Sequence, residues 1–218
     1  MILAAPVSLA APTLALLLAL AGCAGPALPP IRLYTLHLAL PPALAPAVIG
    51  TAGVTASAVP VAGSTPATGT WQLAPLRLPA YLDRDALLLP VGASHLQPLD
   101  GHRWAEPLRD ALPRLLQEDL RTLRGPAQVW AAPLPAGLRI DRQLAVELLA
   151  LDVTPDRAAV HLRARWTLAD PTGALALQVG QADLRAAAAG SEPGQLVAAH
   201  RLALWRLAER IAASPPAP

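Results

Sequence analysis

The chain has no phenylalanine, lysine or asparagine, and one cysteine and one methionine in 218 residues. Each absence excludes something. Without lysine there is no P-loop lysine and no Schiff-base chemistry. All 17 basic residues are arginine. Arginine, alanine, proline and glycine share GC-rich codons, so this pattern reads as compositional bias. A lone cysteine excludes an intramolecular disulfide. Neither Gly-x-Ser-x-Gly nor His-Glu-x-x-His occurs. His37, His95, His102, His161 and His200 are scattered, as solvated or singly bonded imidazoles would be rather than metal ligands. Asp83, Asp85 and Glu106 could form paired carboxylates, but their spacing does not demand it. The residues give no positive reason to expect an enzyme. The 15 acidic residues interleave with the 17 basic ones for a net charge of +2. No basic tract points to nucleic acid.

What is present is apolar, at 54% of the chain, most of it alanine and leucine. Met1 to Gly22 carries no charged side chain, and Ala10 to Ala21 is apolar except at Pro12 and Thr13. That is the length of a signal h-region and too short and broken for a membrane span. Only the terminal amine supplies the positive charge expected before it. The segment ends Leu20-Ala21-Gly22-Cys23, which resembles the bacterial lipobox. Small residues let the chain enter the peptidase extended. Cys23 then becomes the first mature residue and takes a diacylglycerol and an N-acyl chain; no other cofactor is expected. Several acyl chains anchor stably because each buried methylene contributes roughly 0.8 kcal/mol. Ala24 in place of Asp favours the outer membrane, on its periplasmic face.

Residues 1–22 thus read as a lipoprotein signal peptide, 23–30 as a lipidated tether and 31–213 as one domain. Within it, residues 41–69 are rich in Pro, Ala and Gly without a clean period and read as a flexible insertion. Alternation predicts strands over Ile31–Leu38, Thr70–Leu78, Ala86–Val91, His95–Leu99 and Gln128–Leu134. A three-strand meander follows over Arg139–Val153, Ala158–Leu168 and Ala174–Arg185, turning at Pro155-Asp156-Arg157 and at the Asp170–Gly173 turn. Three- and four-residue leucine spacing predicts a helix over Trp104–Arg124, with Leu108, Leu112, Leu115, Leu116, Leu120 and Leu123 inward. Arg109, Asp110, Arg114, Glu118, Asp119 and Arg121 would face out. Pro113 should kink it, and Gly125-Pro126 should end it. A second helix is expected over Gln195–Ala213. The fold class is α/β of the α+β type: a mixed, largely antiparallel sheet with two amphipathic helices packed on it.

Three stretches, in this order after Cys23, carry a family resemblance: "IRLYTLHL" (Ile31–Leu38), "LPAYLDRDALLL" (Leu78–Leu89) and "HRWAEPLRDALPRLLQEDL" (His102–Leu120). They resemble the ABC-type transport auxiliary lipoproteins, and "LVAAHRLALWRLAERIA" (Leu196–Ala212) fits that family's closing helix more loosely. The resemblance implies a non-catalytic outer-membrane lipoprotein of a transport system that moves lipids or other hydrophobic molecules between the two membranes. It would dock a periplasmic mammalian-cell-entry (MCE) domain protein, as a homo-oligomer. A lipoprotein scaffold or assembly factor for the outer membrane or cell wall, without a transporter, is the alternative. Two readings attach to the motif residues. Tyr81 would cover the core while Asp83 and Arg84 fix a turn, or the three would line a protomer or MCE-partner interface. Trp104 would pack as a staple and Glu106 would cap the helix, or this pair would lie at the same interface.

Overall fold

A computed structural model describes residues 30–37, 69–92 and 94–214. Cys23, the leader and nearly all of the tether and insertion lie outside the described residues. The account below concerns the unit Ile31–Pro218.

Among the described residues, eight strands and two helices follow in order: β1 (Arg32–Tyr34), β2 (Trp71–Leu73), a 3-10 turn (Ala80–Leu82), β3 (Ala86–Val91) and β4 (His95–Trp104). Then come α1 (Leu108–Arg124), β5 (Val129–Ala131), β6 (Arg142–Val153), β7 (Ala159–Ala169), β8 (Gln178–Ala187) and α2 (Pro193–Ala212). The α+β class stands. The strands divide into two sheets, ordered β1-β4-β3 and β5-β2-β6-β7-β8. The parallel ladders of β1 with β4, and of β2 with β5 and β6, are three residues long. The antiparallel β6-β7 and β7-β8 ladders carry the sheet.

The meander forms because its strands alternate. On β7, Val160, Leu162, Ala164, Trp166 and Leu168 are buried, whereas Arg163 and Arg165 are exposed. On β6 a bulge leaves Leu149 unpaired between Leu148↔Ala164 and Ala150↔Arg163, and the alternation changes phase just after it, where Ala150 and Leu151 are both buried. Leu149 is left 41% exposed, and Leu151 and Val153 turn inward after it. β8 begins at Gln178, four residues later than expected. Asp170 explains the delay. Its carboxylate accepts the Leu175 N–H at 2.8 Å and the Thr172 N–H at 2.8 Å. Those donors are lost to a ladder.

The first helix begins at Leu108, not Trp104, which instead ends β4. It runs on through Pro113. The proline has no N–H for the Arg109 carbonyl, but that residue is exposed. Gly125, at φ 116°, closes it as its N–H meets the Arg121 carbonyl at 2.9 Å. Leu123 proves 38% exposed. Asp119, expected on the wet face, is instead 1% exposed and lies in the apolar stripe with Leu112, Leu115, Leu116 and Leu120. Four residues on from Leu115 is the same face, so spacing alone places it there.

Asp119 meets Arg201 of α2, itself 3% exposed. Arg201 Nη1 donates to Asp119 Oδ2 at 2.6 Å, and Nη2 donates to Oδ1. This two-pronged pair joins α1 to α2, which in turn lies on β7 and β8. Burial pushes the Asp119 carboxyl above its ordinary range, and the guanidinium opposes that shift. Removing one partner leaves an uncompensated buried charge, at about 3–5 kcal/mol. Asp119→Ala should therefore lower the urea midpoint severely. Asp119→Leu combined with Arg201→Met should recover most of the loss. A double variant no more stable than the single one would show that the pair is not what aligns the helices.

Candidate functional site

The "YLDRD" and "HRWAEPLR" stretches fold against each other. The 3-10 turn delivers Asp83 and Asp85 beside the end of β4 and the start of α1. Arg109 Nη1 donates to Asp83 Oδ2 at 2.9 Å, and Arg103 pairs with Asp85. The Trp104 N–H donates to the Asp85 carbonyl at 2.6 Å. Glu106 accepts from Arg114 Nη2 at 2.6 Å. Each of the three carboxylates considered as an acid–base pair thus has its own guanidinium. Their ion pairs are solvent-exposed or partly so and fix position more than they add stability.

The remaining motif residues go beneath this layer. Tyr81 is half-buried and donates its hydroxyl proton to Asp152 Oδ2 at 3.0 Å. Burial, then the Asp152 carboxylate, pushes the Tyr81 hydroxyl up to about 12. Trp104 is 7% exposed and stands edge-on to His200, with centroids 5.5 Å apart at 74°. Glu106 does not cap α1. Pro107 holds the cap position without a side-chain hydrogen bond. Arg84 is exposed and has no hydrogen-bond partner among the described residues. So Asp83, Arg84 and Glu106 lie at or near the surface, while Tyr81 and Trp104 turn inward, to Asp152 and His200.

Spacing missed two other groups. Arg124 caps the indole of Trp71 at 3.5 Å from the ring centroid, and its guanidinium, desolvated, falls to about 10. His200 is 4% exposed on the inner face of α2, with Nδ1 2.8 Å from the Leu196 carbonyl. A carbonyl only accepts, so Nδ1 carries the proton. Among the described residues no His, Cys, Asp or Glu cluster could hold a metal, and no helix is long and apolar enough to cross a membrane.

Among the described residues, two sheets and two helices around one core define an α+β domain with an arginine-clamped turn. Residues 54–212 match the family described as the ABC-type transport auxiliary lipoprotein component, and the chain belongs to it. No curated protein matches the chain. Among solved structures, an uncharacterized protein is similar at a TM-score of 0.56 and 19% identity, covering 66% of this chain and 90% of its own. Protein XCC0632 of Xanthomonas campestris is similar at 0.52 and 15%, covering 66% and 81%. These likenesses establish the fold.

His200 sets a pH dependence. Burial holds its imidazole down to about 4, against about 6.5 in an unfolded chain. The folded state therefore prefers the neutral ring. Its stability is whole above pH ~6.5 and falls by about 1.4 kcal/mol per pH unit as pH drops toward 4. The full loss from this group is about 3 kcal/mol. Urea midpoints measured from pH 7 to pH 4 should show this slope, and His200→Leu should flatten it. Equal slopes in the two proteins would refute the assignment.

Proposed function

We propose that the chain is a non-catalytic, lipid-anchored subunit of an ABC-type transport system moving lipids or other hydrophobic molecules between the inner and outer membranes. The family match over residues 54–212 carries this reading. The Leu20-Ala21-Gly22-Cys23 sequence ahead of it supplies the anchor. Acyl chains on Cys23 hold the protein to the periplasmic face of the outer membrane, and residues 23–30 act as the tether. The domain docks an MCE-domain protein of the same system and assembles as a homo-oligomer. Asp83, Arg84 and Glu106 form part of that contact surface. Tyr81 and Trp104 set its shape from below. An interface suits this surface because its two carboxylates, Asp83 and Glu106, are already held by Arg109 and Arg114 and have little side-chain freedom left to lose, while Arg84 is left available to a partner.

Two measurements test this. The intact mass of the mature protein should correspond to a chain starting at Cys23 with its acyl groups, and Cys23→Ala should leave the membrane fraction. A soluble, unacylated wild-type product would end the lipoprotein reading. Mild detergent extraction and affinity capture of the acylated protein should recover an MCE-domain protein. Arg84→Glu should reduce that recovery without changing the melting temperature. Capture of peptidoglycan synthases in its place would favour the scaffold reading.

A further inference from the structure

β8 is the last strand of the five-stranded sheet and, among the described residues, pairs only with β7. Its other side presents backbone N–H and C=O groups with no strand partner. Sheet edges left in this state template the addition of another strand unless proline, charge or a covering element blunts them. β8 contains no proline, and its two charged residues, Asp183 and Arg185, are engaged by His161 and Asp156 of its own sheet and turn. α2 runs beside it but does not close the edge. Between them lies an open groove of about 890 Å³.

Three features of the groove point the same way. Its floor is apolar, made by Trp166, Gly180, Leu184 and Ala213. Trp166 fits there because position 180 has no side chain: a Cβ would lie 2.2 Å from the indole. Its α2 wall carries Arg206 and Arg210. Among the described residues Arg206 donates only to the Arg185 carbonyl, at 2.7 Å, which covers one acceptor of the edge. The Arg210 guanidinium has no partner among the described residues. The one acid on that wall, Glu209, already accepts from Trp205 Nε1 at 2.9 Å. The excess charge is positive. Val179, which lines the groove, and Leu177 next to it in the chain are 73% and 60% exposed.

We propose that this groove takes an extended acidic segment of another protein, added to β8 as a sixth strand. Its backbone bonds the free edge, alternate apolar side chains rest on Trp166 and Leu184, and a carboxylate sits between Arg206 and Arg210. An amphiphile with an anionic head would use the floor and the arginines but leave the backbone edge unpaired. A peptide strand uses all three. The inference goes beyond the transport reading and does not depend on it, since it is tested without any transporter component.

The probe is acetyl-Thr-Val-Thr-Asp-Thr-Val-amide, whose Val, Asp and Val share one strand face; it is added to the full-length protein in detergent while amide hydrogen exchange is followed. The peptide should slow exchange across Gln178–Ala187. Arg210→Glu should weaken that response about tenfold or more, the loss expected of one charge-assisted hydrogen bond. The same peptide N-methylated at alternate residues should give no response, because it cannot complete a ladder. No protection at saturating peptide overturns the proposal. So does equal protection by the N-methylated peptide. Binding of dodecyl phosphate with the same Arg210 dependence, where the peptide fails, identifies an amphiphile site and likewise overturns it.

Discussion

The packing of this domain turns on two charges that cannot reach water. Asp119 and Arg201 are buried on facing helices, 82 residues apart in the sequence. Against apolar residues of similar volume such a pair brings little or no net stability. What it brings is alignment. Sliding α1 along α2 by one turn, about 5.4 Å, would orphan both groups. Leucine and alanine stripes alone tolerate such slips, because one apolar contact resembles the next. With α2 fixed on β7 and β8, and α1 fixed on α2, the start of α1 has one position. Arg109 and Arg114 inherit it, and so does the arginine-clamped turn.

Much of this was legible in the sequence. The meander was, because β7 alternates without interruption and its turns are marked by proline, aspartate and glycine. The helix stripes were too. The partition into two sheets was not. β1 and β2 are three residues each and pair in parallel with distant strands, and three residues of alternation carry no information on partner or direction. The start of β8 was missed because Asp170 competes for backbone donors. The Leu149 bulge was missed because a phase change within a run of apolar residues leaves periodicity unaltered to the eye.

The candidate site was half legible. The two motifs marked the right place, and the structure brings them together. Their division of labour was hidden, since nothing in "YLDR" says that the tyrosine reaches Asp152, 71 residues away, while the aspartate binds Arg109. Asp119 is the instructive error. Assigning a charged residue to the wet face by its chemistry overrode its spacing, which placed it among the leucines. Arg201 was in the same situation, within the stripe that holds Val197 and Leu204. An acid and a base each set inside an apolar stripe is a signal that the two stripes meet.

The same reasoning separates surface from scaffold. The residues that carry the family resemblance are largely occupied within the fold: Asp83 with Arg109 and Trp104 with Asp85 between the two motifs, and Tyr81 with Asp152 of β6. A resemblance built on such residues marks the fold more directly than it marks a binding face. Groups left unused by the fold are the better guide to contacts. Arg84, Arg210 and the outer edge of β8 are such groups. Arg84 follows the 3-10 turn, whereas Arg210 and β8 share one groove, so the fold leaves two sets of groups unused on different elements.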